Sequence, residues 1–341
     1  MSKAYDRVNI HMLQKAMNRL KLPLPFIQFI SNLFTNRYNR IFTAHGTTDA
    51  YKVLVGIDQG EVISPLLWCI YYDPLLSKLQ SCAEQNLTGY ELSHTWRPDV
   101  TKSNTNTESC NIPLSAFMDD SHWITDSTPK LVFTLNITTS FNKLNDVQTN
   151  NDKAVLLATK SPENGEPIKL ELDTTTIEIQ PLKPKESTRI LGVWLTTGKS
   201  NQHVYRQLKA EVKQCCDLLS SKIVTDKQLL YIYNAVIIPR LEFRCQLVFL
   251  TESQCDALQA PFRTLFKHKL HMPKTTPNAI LMNNLIYKFQ DLYQRQIQEK
   301  FTSLTCLLHD SSIVGVSTHI RILKLQAKWH LPQSPLTDWP I

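Results

Sequence analysis

The sequence predicts an α+β fold over residues 1–200, an all-helical region over residues 201–330 and a loose tail at 331–341. Three observations predict it. Residues 115–124 set a short apolar run (Ala116, Phe117, Met118) and a second β-prone run (His122, Trp123, Ile124) around two adjacent carboxylates, Asp119 and Asp120, which is the pattern of a β-hairpin. Residues 56–67 place Gly56 and Gly60 ahead of Ser64-Pro65 and an apolar run, the pattern of a glycine loop feeding a helix. From His203 onward the spacing is helical, and Thr225-x-x-Gln228 and Thr251-x-x-Gln254 have the form of capping boxes.

In chain order, Ile10, Leu13, Met17 and Leu20 form the apolar stripe of an amphipathic helix, with Lys15, Arg19 and Lys21 opposite. Pro23 and Pro25 end it, and a second helix carries Phe26, Ile27, Phe29, Ile30, Leu33 and Phe34. Residues 38–56 read as two strands around His45-Gly46, with Arg37 and Arg40 either touching phosphate or forming a solvated edge. Ser64 is the expected N-cap of the next helix, which carries Trp68, Ile70, Tyr71, Leu75, Leu76 and Leu79. Residues 81–112, rich in Asn, Thr and Ser, read as an exposed connection without regular structure. After the hairpin come a helix over 131–144, a turn with Asn150 and Lys153, and a strand to 157. A loop at 159–167 leads to strands at 168–172 and 176–179, and a single strand at 189–195. The helices then run to Leu270, restart after Pro277 and reach about residue 308.

The 341 residues carry a net charge of +7, unevenly spread. Residues 1–60 hold eight Lys/Arg against three Asp/Glu, residues 61–201 twelve against seventeen, and residues 202–341 seventeen against ten. An acidic middle between basic ends suits a metal site between nucleic-acid-binding surfaces, or simply a mildly basic soluble protein. The Asp119-Asp120 tip is either a solvated turn or a place for a hard cation such as magnesium or manganese. Arg206, Lys209 and Lys213 fall at i, i+3 and i+7 on one helix face, which either grips a nucleic-acid backbone or is solvated. The eight cysteines include no C-x-x-C pair and read as reduced thiols of an intracellular protein. No membrane-length apolar run, secretory signal or fixed-period repeat stands out.

The order of motifs resembles the reverse transcriptase of non-LTR (LINE-like, jockey-like) retrotransposons. Ser2-Lys-Ala-Tyr-Asp-Arg-Val8 is similar to the end of motif A, D-[LM]-S-K-A-[FY]-D-x-V. Gly56-Ile-Asp-Gln-Gly-Glu-Val-Ile-Ser-Pro-Leu-Leu67 is similar to motif B, G-[VI]-P-Q-G-S-x-[LI]-S-P-x-L. Phe117-Met-Asp-Asp120 resembles motif C, Asn150-x-x-Lys153 motif D and Ile190-Leu-Gly-Val193 motif E. The resemblance implies a right-hand polymerase palm of three or more strands at residues 1–200 and a helical thumb and connection after it. It further implies RNA-templated DNA synthesis with two magnesium or manganese ions, on an RNA template with a DNA primer and deoxynucleoside triphosphates. Asp119, with Asp120 beside it, then becomes the metal-ligating carboxylate, and Tyr5 the steric gate against the ribose 2′-OH. Gln59 and Gly60 line the nucleotide pocket, Lys153 meets the triphosphate, and Arg206, Lys209 and Lys213 grip the template-primer. The family works at nuclear DNA, although no compact Lys/Arg run marks an import signal here.

The sequence also departs from that pattern. The first motif A aspartate belongs immediately before the position that Met1 occupies, and Asp6 does not replace it. The fingers that precede motif A are absent as well. Asp58 stands for the usual proline of motif B and Glu61 for its serine, and a negative charge there should repel a triphosphate. The expectation is therefore either a reading frame that continues upstream of Met1 or a decayed copy. In either case the chain as given is expected not to polymerise, and the alternative is a non-catalytic nucleic-acid-binding remnant.

Overall fold

The computed structural model describes residues 4–99, 101, 103–159, 167–172, 175–198, 200–333 and 335. Met1, Ser2 and Lys3 of the motif A resemblance, most of the loop at 159–167 and most of the tail after Leu331 lie outside the described residues. A 3-10 turn at Tyr5–Arg7 is followed by helices α1 (Ile10–Arg19) and α2 (Leu24–Phe34). Strands β1 (Arg37–Asn39), β2 (Phe42–Thr43), β3 (Gly46–Thr47) and β4 (Tyr51–Val53) lead to helix α3 (Ser64–Glu84). Then come β5 (Tyr90–Trp96), β6 (Asn106–Ile112), β7 (Leu114–Phe117), β8 (Asp120–Trp123) and α4 (Thr128–Asn145). After a 3-10 turn at Asn151–Lys153 follow β9 (Ile168–Leu172), β10 (Thr175–Ile179), β11 (Thr188–Ile190) and β12 (Val193–Leu195). The rest is α5 (Gln202–Ser220), α6 (Asp226–Tyr231), a π-helical segment Ile232–Ile237, α7 (Ile238–Arg244), α8 (Glu252–Lys269), α9 (Asn278–Met282), α10 (Leu292–Leu308) and α11 (Ile313–Trp329).

Packing divides the chain into two compact units. Of the described residues, the first comprises those up to Ala154, those within Pro167–Ile179 and those from Ser311 on, and the second the others.

The first unit is built around α3. Leu67, Trp68, Tyr71, Tyr72, Leu75 and Leu79 recur at helical spacing and are all buried. They pack with Leu13 and Met17 of α1 and with Ile27, Ile30 and Phe34 of α2. The Asn9 side chain accepts from the backbone N–H groups of His11 and Met12 and so starts α1. Strands β1 to β4 form one long excursion folded around His45-Gly46: β2 pairs with β3 at its tip and β1 with β4 at its base.

Residues 81–112 correct the sequence reading. They are not an unstructured connection: β5 and β6 pair antiparallel over seven residues each, and α11 packs across both. The ladder was hidden because its side chains are mostly polar; Thr95 and Thr107 hydroxyls meet across it at 2.9 Å, and Leu92 is its buried apolar residue. Helix α11 lies within the region expected to be helical, but it belongs to the first unit rather than to the helices before it.

The expected palm sheet of three or more strands is also corrected. Every sheet among the described residues has two strands. The segment around Tyr5 curls into a 3-10 turn and residues 154–157 join no ladder, so β7 and β8 pair with each other alone.

In the second unit, α5 turns Val204, Leu208 and Val212 inward, in one apolar cluster with Cys255, Leu258, Phe262 and Phe266 of α8. Both capping boxes form: Thr225 with Gln228 opens α6, and Thr251 with Gln254 opens α8. Residues 189–195, read as one strand, belong to a hairpin that starts at Thr188. Leu191 and Gly192 both have positive φ, 47° and 88°, the requirement of a tight two-residue turn. The stretch after Pro277 is likewise broken: α9 has five residues, and α10 starts only at Leu292, where Asp291 caps it.

Candidate active site

The β7–β8 hairpin pairs Phe117 with Asp120, which leaves Met118 and Asp119 as its two loop residues. Only Asp119 is therefore at the tip; Asp120 is the first residue of β8 and shares a face with Phe117. Asp119 is half-buried and Asp120 exposed. Met118 has φ 52°, a left-handed conformation that costs energy in a residue with an unbranched side chain and needs support from its surroundings.

That support comes from α3 and from the segment before α1. The Trp68 indole N–H donates to the Met118 carbonyl oxygen at 2.8 Å. The Tyr5 hydroxyl points to the Met118 sulfur at 3.6 Å, and the Tyr72 and Ser121 hydroxyls lie 3.1 Å apart. Trp68 stacks on Tyr72 at 5.5 Å between centroids and meets the Tyr5 ring edge-on at 5.9 Å. Trp68 was read only as a core position. Its signal was available: a buried indole N–H needs an acceptor, and helix spacing turns it away from α3's own carbonyls.

Tyr5 lies close enough to Asp119 to feel its charge. Burial raises the Tyr5 hydroxyl above its ordinary pKa, and the negative charge of Asp119 raises it further. The structure thus brings together two of the expected site residues, Tyr5 and Asp119.

The loop of residues 56–61 is docked on the same N-terminal segment. Gly56 N–H donates to Val8 O and Ile57 N–H to Tyr5 O, each at 2.9 Å. Gly56 has φ 95°, and a Cβ there would meet the Asp6 carbonyl oxygen at 2.8 Å, so a glycine is required twice over. Ser64 does not cap α3 with its side chain as expected; Ile63 holds that position, and the Ser64 hydroxyl donates to Asp58 O at 2.6 Å. Gln59, Gly60 and Glu61, just beyond this anchored part, are exposed.

Two sequence readings change here. Arg37 is neither a free phosphate contact nor a solvated edge: its side chain is 12% exposed, and it donates to Gly56 O at 2.6 Å while pairing with Asp58 at 2.6 Å. Asp58 accordingly does not present an uncompensated charge, and the repulsion expected of it is largely neutralised.

Lys153 ends the 3-10 turn Asn151–Lys153 and is exposed. The end of α4 before it is tied to α3 through the Tyr71 hydroxyl, which donates to Asn145 O at 2.8 Å. In the second unit, Arg206, Lys209 and Lys213 are all exposed on the side of α5 opposite Val204, Leu208 and Val212. The Leu191-Gly192 turn is held there by Arg244, which donates to Gly192 O and pairs with Glu211 at 3.4 Å.

Asp119 and Asp120 are hard oxygen ligands of the kind magnesium or manganese takes. Among the described residues, however, no group of three His, Cys, Asp or Glu side chains comes together. The described donors do not fit a two-ion centre by themselves. No helix among the described residues is long and apolar enough to cross a membrane.

Comparison with known proteins identifies a family. Residues 1–195 match the family model "Reverse transcriptase (RNA-dependent DNA polymerase)". The chain is similar to the Retrovirus-related Pol polyprotein from type-1 retrotransposable element R2 of Popillia japonica, 23% identical over 277 residues. The similarity covers 79% of this chain and 42% of that protein, so the chain spans less than half the length of its relative. These findings support the likeness to reverse transcriptases of non-LTR retrotransposons. With more than half of its length matched, the chain belongs to the reverse transcriptase (RNA-dependent DNA polymerase) family.

Proposed function

We propose that the first unit carries the palm active site of an RNA-templated DNA polymerase from a retrotransposon, and that these 341 residues alone bind template-primer without extending it. The observation that carries the proposal is the Met118-Asp119 turn, held in a strained conformation by Trp68 and flanked by Tyr5. A solvated turn has no need of a buried tryptophan to hold its carbonyl.

The residues have separate tasks in this reading. Asp119 presents a carboxylate to divalent metal, with Asp120 next to it on β8. Tyr5 walls the sugar side of the incoming nucleotide, and Gln59 and Gly60 lie along its edge. Lys153 offers a cation to the triphosphate. Arg206, Lys209 and Lys213 neutralise template-primer phosphates. Magnesium or manganese, when bound, would supply activation of the primer hydroxyl and charge neutralisation at the leaving pyrophosphate. The inactivity proposed for this chain is supported by the described donors, among which no third His, Cys, Asp or Glu side chain joins Asp119 and Asp120.

The test is primer extension on an RNA template with magnesium. It compares residues 1–341 with a chain extended by the in-frame residues encoded upstream of Met1, each with and without Asp119→Ala. The expected result is salt-sensitive binding but no extension by the shorter chain, and extension by the longer one that Asp119→Ala abolishes. Extension by the shorter chain, lost on Asp119→Ala, would refute the inactivity. A longer chain indifferent to Asp119→Ala would refute the assignment of the site.

A further inference from the structure

The loop that leads into Gln59-Gly60 is fastened by a side chain to which the motifs assign no role. Arg37, the first residue of β1, makes four contacts at once. Its guanidinium lies over the Phe34 ring at 5.0 Å from the centroid, and its Nε donates to Phe34 O at 3.3 Å. One terminal nitrogen donates to Gly56 O at 2.6 Å, and the other is 2.6 Å from the Asp58 carboxylate. Phe34 is the last residue of α2, so the contacts fix the guanidinium to the end of a packed helix before it reaches the loop.

We propose that Arg37 and Asp58 form a latch that positions the nucleotide-binding loop, replacing the rigidity that a proline at position 58 would provide. The chemistry is consistent on both sides. A proline at position 58 would fix φ and limit the loop's conformations without any partner. An aspartate leaves φ free but supplies an anion, and a planar guanidinium can hold that anion and the Gly56 carbonyl together. With Gly56 and Ile57 N–H groups bonded to Val8 and Tyr5, and Asp58 O bonded to Ser64, residues 56–58 are then held from three directions. What the loop positions, a deoxynucleoside triphosphate at Gln59-Gly60, rests on the function proposed above; the latch itself does not.

Amide hydrogen exchange in the 341-residue chain tests it. Arg37→Met should speed exchange of the Gly56 and Ile57 amides roughly tenfold or more, the scale of losing a hydrogen bond to a charged group. Asp58→Asn, which keeps the Gly56 contact, should speed it a few-fold. Arg37→Met combined with Asp58→Pro should return it to within about twofold of the parent, because the proline restores the restriction by other means. That rescue separates a latch from general damage to the fold. Unchanged exchange in a folded Asp58→Asn protein would overturn the proposal, and so would a double variant no slower than Arg37→Met. If Arg37→Met does not fold, the Asp58→Asn result decides. A parallel titration with deoxyadenosine triphosphate keeps the two readings apart. A parent chain that binds none counts against the proposed function, while the exchange result still decides the latch.

Discussion

Trp68 Nε1 donates to Met118 O across 2.8 Å, joining helix α3 to the two-residue turn that carries Asp119. The two residues are fifty positions apart, and the bond turns a helix core position into a support for the turn. Trp68 is 1% exposed, so the donor has no access to water. The penalty for breaking the bond therefore falls mainly on the indole side.

Trp68→Phe removes the donor and keeps much of the ring. It should destabilise the first unit by about 1–2 kcal/mol, and Trp68→Ala by about 3–5 kcal/mol through the cavity it leaves. Urea unfolding of both variants measures this. The Phe variant should also loosen the turn selectively, seen as faster amide exchange at Asp119 and Asp120 than at β5. Uniform change across both hairpins would show that Trp68 acts as core filling alone.

Asp119 and Tyr5 make a second test. The Asp119 charge opposes ionisation of the Tyr5 phenol, so Asp119→Asn should lower the Tyr5 pKa. It should remain above the ordinary value because burial, the larger cause, is unchanged. Titration of ring-labelled tyrosine by NMR, with Tyr5→Phe to assign the signal, reads this directly. No shift would mean that the carboxylate does not face the phenol.

These contacts show what was legible in the sequence. The hairpin, the helix after Ser64-Pro65 and both capping boxes follow from local patterns, and they form as read. Patterns of that kind act over a few residues. The Trp68–Met118 bond and the Arg37 latch join residues 50 and 19–21 positions apart, and no local spacing encodes them. The β5–β6 ladder escaped for a different reason: Tyr90, Leu92 and Trp96 alternate with Glu91, Ser93 and Thr95 in β5, but β6 carries no apolar residue before Cys110, so the partner strand goes unannounced. Helix α11 falls in the region read as helical, and Ser312 caps it, but its packing on β5 and β6 joins elements more than 200 positions apart and has no local signal.

Gly56 and Gly60 separate two demands on a glycine. Both have positive φ, 95° and 97°. A Cβ at Gly60 meets nothing within 4 Å, whereas at Gly56 it meets the Asp6 backbone at 2.8–3.0 Å. Gly60→Ala should therefore cost about 1–2 kcal/mol from backbone conformation alone. Gly56→Ala should cost clearly more, since the clash is with backbone that cannot rotate away. Thermal unfolding of the pair settles the order; equal losses would place residues 56–58 farther from Asp6.

Tyr71 gives the first unit a sign-definite dependence on alkaline pH. Burial is the largest cause that pushes its hydroxyl up to about 12 from 10.0. The unfolded chain thus loses this proton first. The contribution to stability is fully present below pH about 10 and is lost progressively as pH rises toward about 12. Tyr71→Phe should be less stable at neutral pH, because the bonds to Asn145 and Asn9 go, yet show a shallower fall between pH about 10 and about 11. Burial raises Tyr5 and Cys110 of the same unit in the same direction, so some slope remains in the variant. An identical slope in parent and variant would rule Tyr71 out as a source.

The α5 face makes the most direct prediction about nucleic acid. Arg206, Lys209 and Lys213 are exposed, while Val204, Leu208 and Val212 carry the helix's packing, so charge can be removed without touching the core. Replacing all three by Gln should leave the free energy of unfolding within about 0.5 kcal/mol of the parent. It should weaken binding to an RNA–DNA heteroduplex at low salt. If each cation meets one phosphate, the slope of log affinity against log salt should flatten by up to about 3. A weaker complex with the slope unchanged would mean that the residues act on the fold or on a neighbouring surface. Unaltered affinity would leave the stripe a solvated face, and the grip on phosphate would have to come from other cations of the second unit.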